Sequence, residues 1–514
     1  MNQPSTVALS LIAHTNVGKT TLARTLLRRD VGEVRDAAHV TLTVDRHLLL
    51  ESNEGDRLEL WDTPGFGDSL RMAKRLARAG NPIGWFLNEV WDRYTDRAMW
   101  SSQRAVRHVV EQADVVLYLL NASEAPEDTA YVDAELTVLD LLGKPVLLLL
   151  NQLGQPRSGA EEAAEVQRWR ERCGSHACVR GVLALDAFAR CWVQEGRLLQ
   201  TVRELLARER HAALDRLVRV WRTQQQSVWR ASMEQLAERV AGAALDREGI
   251  AEAGWTGRLR EVGAALGLRR EGATTPRALA MQTLATRLDE RIRESTDRLI
   301  RLHGLSGQDT QAVLLRLAEH FALREPVSEG KAAVLGGLVT GALAGLKADL
   351  ATGGLTLGGG LLAGGVIGAL SAAGLTRGYN LLRGAAQPTL TWTEEVLDDL
   401  VRSALLAYLA VAHYGRGRGD WTATEHPAFW SDEVEAVLAP RREWLQRLWA
   451  LRQSSTDDTP TPQPPMAMQT ALHTELDAFF QDAGRALLLR LYPDAQAALD
   501  DDAPLSASSA GASR

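Results

Sequence analysis

The sequence predicts an α/β domain with a mostly parallel sheet, followed by a mainly α-helical domain. Three observations carry this. From Thr6 to about Ala207, apolar runs of strand length alternate with segments of helical period. The first run, TVALSLI, ends at a glycine-containing turn that leads straight into the helix-like TTLARTLLRR. Beyond Glu204 the strand signals fade and long amphipathic segments take over. At 514 residues the chain is too long for one ordinary core, so division into domains is expected.

Within 1–207, RHLLLES and RLELWDTPG read as two strands joined at the turn Asn53–Gly55. ADVVLYLLNAS and KPVLLLLNQ are nearly continuous apolar runs, the pattern of strands covered on both faces, and CVRGVLALDAF supplies a last strand. Helices are expected at Tyr131–Leu142 and Ala160–Arg172. A helix-like insertion at about 69–111 holds Trp85, Trp91 and Trp100. It reads either as a contact surface or as a helical pair packing its tryptophans on the domain, and the latter is the usual outcome for aromatics at helical spacing.

The net charge of −7 argues against nucleic-acid binding through bulk positive charge, and no nucleic-acid partner is expected. Three cysteines, Cys173, Cys178 and Cys191, fit a reducing compartment, and no secretory leader is visible, so a cytoplasmic location is expected. Cys173, His176 and Cys178 lie close together but lack a fourth zinc ligand, which leaves them as ordinary thiols beside a strand.

The turn AHTNVGKT, Ala13 to Thr20, matches the phosphate-binding loop with Ala in place of its first Gly. Backbone N–H groups from His14 to Thr21 (His14, Thr15, Asn16, Val17, Gly18, Lys19, Thr20, Thr21) would converge on a β-phosphate at a helix N-terminus. Lys19 would reach the β- and γ-phosphates, and the Thr20 hydroxyl would bind Mg²⁺. About forty residues on, WDTPGFGD offers Asp62 as a second metal group and the Gly65 N–H as a γ-phosphate sensor. Between them Thr41 and Thr43 both qualify as a further Mg²⁺ ligand, with Thr41 preferred; Lys19 and Thr41 would support charge and metal, while no catalytic side chain is identified.

The residues AHTNVGKTT, Thr41 and DTPGF resemble an Era-like GTPase of the translation-factor-related class. HTNVGKTTL, RRDVGEV and AHYGRGRGDW extend the resemblance to a bacterial family that joins such a domain to a long helical C-terminal domain of unknown function. The resemblance implies GTP as ligand and substrate, Mg²⁺ as cofactor and slow intrinsic hydrolysis. Two departures stand out. The guanine-reading Asn-Lys-x-Asp is replaced by Asn151, Gln152, Leu153 and Gly154, so the base-reading carboxylate is missing and an ATPase is the rival expectation; Asp186 is a substitute candidate. Phe66 stands where a water-orienting Gln is found in Ras-like proteins. A non-hydrolysing nucleotide-binding scaffold is the other alternative.

A helical domain is expected over 208–498, with a disordered tail at 499–514. Its helices are read as one long helix or helix pair from Glu204, then Arg277–His303, Asp309–Leu323, Trp392–His413, Glu433–Leu451 and a last one from Thr470 to Tyr492, after a Pro-rich stretch at Ser455–Gln469. Residues 331–377 break this amphipathic pattern. Ala332–Leu346 and Ala351–Thr376 carry no charge, and Gly337, Gly341 and Gly345 recur every four residues, as do Gly360, Gly364 and Gly368. Small residues at that spacing let two helix backbones approach closely. The functional expectation is a shallow or re-entrant membrane hairpin anchored at the inner membrane, and the alternative is a buried soluble hairpin. A membrane surface or membrane-protein partner and a homodimer are the further partners expected. Arg416 and Arg418, spaced by glycines, would bind phosphate or form a solvated turn, and His413 is read as structural.

Overall fold

The computed structural model describes residues 4–14, 17–28, 45–66, 69–76, 82–88, 96–153, 159–187, 191–250, 276–305, 379–382, 389–414, 429–452 and 465–499. Thr15, Asn16, Thr41, Thr43, Gly154, Arg416, Arg418, the segment 309–323, the Gly-rich hairpin 331–377 and the tail from 500 lie outside the described residues. The chain divides into two compact units: Met1–Ser227 with Ala412–Phe429 and Leu488–Arg514, and Val228–Val411 with Trp430–Leu487.

The first unit is built on a six-stranded sheet of order β2-β3-β1-β4-β5-β6. Its strands are β1 (Thr6–Ala13), β2 (Asp45–Glu51), β3 (Arg57–Asp62), β4 (Val115–Asn121), β5 (Val146–Asn151) and β6 (Val179–Ala184). Only the β2–β3 pair of this sheet is antiparallel. Strands β4 and β5 are buried almost end to end, as their unbroken apolar sequences require, while β2 alternates in exposure at the sheet edge. Helices α1 (Lys19–Leu27), α5 (Ala130–Leu142), α6 (Gly159–Cys173) and α7 (Trp192–Leu205) form connections, and the expected helices at 131–142 and 160–172 are present to within one residue.

Among its described residues the insertion forms three helices, α2 (Ser69–Leu76), α3 (Pro82–Asn88) and α4 (Arg97–Glu111). They bury Met72, Leu76, Phe86, Met99, Val106 and Val109 in the same cluster as Ile12, Phe66, Tyr118, Leu136 and Leu148. Trp100 stays half-buried with the Arg104 guanidinium 5.0 Å from its ring. The described part of this apolar face is thus made largely by Met, Leu, Phe and Val, while Trp91 and the Trp85 side chain lie outside the described residues.

The β2–β3 turn is held from the far side. Asp56 is fully buried and accepts from the Ser5 N–H at 3.0 Å, the Ser52 hydroxyl at 2.9 Å and the Arg216 guanidinium at 2.6 and 2.9 Å. Arg216 belongs to α8 (Arg208–Ala244), which is one continuous helix of 37 residues. The Arg216 hydrogen bonds hold the Asp56 carboxyl below the usual carboxylate range, at about 2, against the opposing effect of burial.

The second unit is mainly helical among the described residues, but it also holds a small antiparallel sheet of Arg247–Gly249, Thr389–Trp392 and Tyr379–Leu382, with the middle segment central. Strands of three or four residues are too short to show a period, which is why none was expected here. Trp392, expected in a helix, closes the central strand; the helix runs Glu394–Ala412. The single helix expected at 433–451 is two, Phe429–Leu438 and Arg442–Leu451, because Pro440 has no N–H to continue the ladder. The last helix, Met466–Leu491, begins earlier than its expected start at Thr470. No helix among the described residues is long and apolar enough to cross a membrane.

Asp56→Ala leaves Arg216 facing a buried hole, and a loss of about 3–5 kcal/mol in urea unfolding is expected. Because the folded-state pKa of Asp56 is depressed, its contribution is complete above about pH 4 and lost as pH falls toward about pH 2. Acid unfolding of Asp56→Asn should lack that component.

Candidate functional site

Parallel pairing of β1 with β3 sets Leu11 beside Asp62, and pairing of β4 with β5 sets Asn121 beside Asn151. The carboxyl ends of β1, β3, β5 and β6 therefore meet along one sheet edge, where β1 and β4 lead away in opposite directions. Open α/β sheets bind ligands at such a crevice.

Here the Lys19 ammonium donates to Asp62 Oδ1 at 2.8 Å and the Thr20 hydroxyl to Asp62 Oδ2 at 2.9 Å. Lys19 and Asp62 are both buried. A carboxylate and a hydroxyl converging in this way form the hard-oxygen pair that suits Mg²⁺. Beyond Asp62, Thr63 is tied to the Leu11 carbonyl by its N–H at 3.4 Å and by its hydroxyl. At Gly65 a Cβ would lie 2.7 Å from the Ala13 carbonyl oxygen, so only glycine lets this loop lie against the end of β1. Phe66 is fully buried in the core cluster.

Gly18 precedes α1 with φ +90°, and a Cβ there would meet Asn151 Nδ2 at 2.7 Å. Asn151 is fully buried. Its Nδ2 donates to the Val17 carbonyl at 2.6 Å and its Oδ1 accepts from the Ala187 N–H at 2.8 Å. The Thr25 hydroxyl donates to the Ala187 carbonyl at 2.9 Å, and the Leu153 N–H donates to Asp186 Oδ2 at 2.8 Å. The amide of Asn151 thus clasps the phosphate-type loop to the ends of β5 and β6, and Asp186 braces the loop that follows β5.

Of the expected site residues, the structure brings together Val17, Gly18, Lys19, Thr20, Asp62 and Asn151, and lays Gly65 against the strand end that precedes His14. Thr21 is buried in the first turn of α1. The His14 side chain turns to α5, where Nδ1 lies 2.7 Å from Glu135 Oε1 and the ring stacks on Tyr131 at 4.2 Å. Glu135 and Tyr131 went unread in the sequence; their spacing of four on one helix was the available signal.

The cysteine group is occupied otherwise. His176 Nδ1 lies 2.8 Å from Asp140 Oδ2, the Cys178 N–H donates to Asp140 Oδ1 at 2.7 Å, and burial pushes the Cys173 thiol up to about 11.

Residues 176–476, more than half of the chain, match the family model described as a domain of unknown function (DUF3482), and residues 8–152 match the model described as 50S ribosome-binding GTPase. No curated protein matches the chain. Among solved structures, Era in complex with MgGDPNP and part of 16S ribosomal RNA is 16% identical over 40% of this chain and 58% of that one, with a TM-score of 0.29. Era from Aquifex aeolicus, a variant bound to GDP and AlF4−, is 19% identical over 39% and 57%, with a TM-score of 0.29. A probable GTP-binding protein, EngB, is 15% identical over 38% and 99%, with a TM-score of 0.25. The chain spans under two thirds of the two Era chains it matches.

Gly18→Ala forces a left-handed backbone on a residue with a Cβ, and a loss of about 1–2 kcal/mol is expected. Asn151→Ala strands the Val17 and Ala187 groups, for about 1–3 kcal/mol. The double variant removes the clash, so urea unfolding should give less than the sum of the two, by about 0.5 kcal/mol or more.

Proposed function

The chain belongs to the family defined by the DUF3482 domain of unknown function, with a GTPase domain ahead of it, and we propose that it is a Mg²⁺-dependent, GTP-hydrolysing switch. The observation that carries this reading is the convergence of Lys19 and Thr20 on Asp62 at the carboxyl ends of β1 and β3. In the proposed complex the N–H groups from His14 to Thr21 hold the phosphates, Lys19 bridges the β- and γ-phosphates, and Gly65 offers its N–H to the γ-phosphate. Thr20, Asp62 and Thr41 are the proposed Mg²⁺ groups, and the ion when bound would neutralise charge developing on the phosphoryl oxygens. Lys19 must exchange its bond to Asp62 for one to phosphate when nucleotide enters.

Asn151 acts in this reading as a buttress of the loop, since both ends of its amide are engaged. Guanine preference rests on the family, because Gly154 brings no carboxylate to the base. That departure is the specific observation favouring an adenine nucleotide as the second reading. Phe66, at the position after Gly65, is fixed in the core and does not itself orient water, which fits the slow turnover proposed. The helical part is proposed as an effector at a membrane, on the strength of the uncharged Gly-rich sequence at 331–377.

Lys19→Ala is expected to weaken binding of GTP by at least tenfold, about 1.5–3 kcal/mol for a charged hydrogen bond to phosphate, in calorimetry with Mg²⁺ present. Unchanged affinity removes the site, and tighter binding of ATP than GTP decides for the second reading. Phosphate release by the unsubstituted protein alone is expected on the order of 10⁻⁴–10⁻² s⁻¹.

A further inference from the structure

The second residue of the phosphate loop belongs to a buried polar network that the proposed switch does not use. Glu135 is fully buried on α5. Its Oε2 accepts from the Tyr118 hydroxyl of β4 at 2.7 Å, and its Oε1 lies 2.7 Å from His14 Nδ1. Tyr118 is also buried, and burial raises its pKa well above the ordinary phenol value, so it stays neutral. Among the described residues the carboxylate therefore has one neutral donor and one imidazole. A buried carboxylate needs a cation as well as hydrogen bonds.

The imidazole is placed to supply it. One face stacks on Tyr131 at 4.2 Å, and Tyr131 is anchored in turn by its hydroxyl to Glu124 Oε2 at 2.9 Å. The His14 side chain keeps 32% of its surface exposed, so solvent reaches the ring. Among the described residues the groups bearing on it are Glu135 and Tyr131 from α5, Tyr118 from β4 through Glu135, and Glu124 from the loop between β4 and α5; each is an acid or a phenol.

We propose that protonated His14, ion-paired to Glu135, is the positioning residue that sets the start of the phosphate loop, and that binding of a nucleoside polyphosphate takes up a proton at this imidazole. The inference rests on the nucleotide reading above. The proton comes from solvent to Nε2, while Nδ1 keeps its hydrogen on Glu135, so no bond of the nucleotide is involved. The hydrogen bond to Glu135, followed by the charges of Glu135 and Glu124, holds the His14 pKa above its ordinary value, with burial opposing. The sign follows. A raised folded-state pKa means that the charged pair is complete at lower pH and is lost as pH rises through that pKa. Phosphate charge brought to the loop raises it again, so affinity must fall as pH rises.

Calorimetry with GTP and excess Mg²⁺ from about pH 6.5 to about pH 9 spans the His transition above the last titration of a terminal phosphate. The dissociation constant of the unsubstituted chain is expected to rise about tenfold across that range, equivalent to a one-unit difference between free and bound His14. His14→Gln should bind with a flat profile near the weak, high-pH value. Glu135→Gln, which removes the charge and leaves one acceptor oxygen in place of two, should move the rise to lower pH. Lys19→Ala, weakened at every pH, reports on the nucleotide site alone. A His14→Gln profile that still rises like that of the unsubstituted chain, or a flat profile in the unsubstituted chain, overturns the inference. Absence of binding by the unsubstituted chain at every pH removes the nucleotide reading and this inference with it. Should Glu135→Gln not fold, the His14→Gln profile decides.

Discussion

The register of β1 against β3 is the constraint on which the rest of the first unit's chemistry depends. Leu11 beside Asp62 places the end of β3 where α1 begins, and only then can Lys19 and Thr20, two consecutive residues, reach opposite oxygens of one carboxylate. A slip of one residue would turn Asp62 to the other face of the sheet. The chain guards against this with the apolar faces of β1 and β3, with Thr63 tied twice to Leu11, and with a glycine at 65 that tolerates the Ala13 carbonyl. At the opposite end of β3, Asp56 fixes the turn by bonds to Ser5, Ser52 and Arg216.

Three buried polar side chains in this unit work as joints. Asn151 joins Val17 to Ala187, Asp186 joins β6 to Leu153, and Glu135 joins β4 to the second residue of the loop. Each joint ties segments distant in the chain, and each has its acceptors and donors matched, which is the condition for a buried polar group to specify geometry without a heavy cost. The loop is consequently shaped by three neighbouring strands as well as by its own glycine.

Much of this was legible in the sequence because it is local. The strand–turn–helix around Gly18, Lys19 and Thr20, the apolar runs of β4 and β5, and the hairpin at Asn53–Gly55 each declare themselves within about ten residues. What was not legible is long-range. Nothing in His14 announces Glu135, 121 positions away, and nothing in Asp56 announces Arg216, 160 positions away. The small sheet of the second unit was missed because strands of three and four residues are too short to carry a period, and Pro440 divided what periodicity alone joined.

Phe66 carries a consequence of its position. Phe66 enters the cluster of Met72, Leu76, Phe86 and Met99. Gly65 is its immediate neighbour and lies against the Ala13 carbonyl. Protein interiors are close-packed and yield little to small displacements, so a shift of Gly65 toward a ligand cannot be absorbed at Phe66 without moving the helices packed on it. If the crevice holds a nucleotide as proposed, a displacement of Gly65 would therefore reach α2–α4 through Phe66.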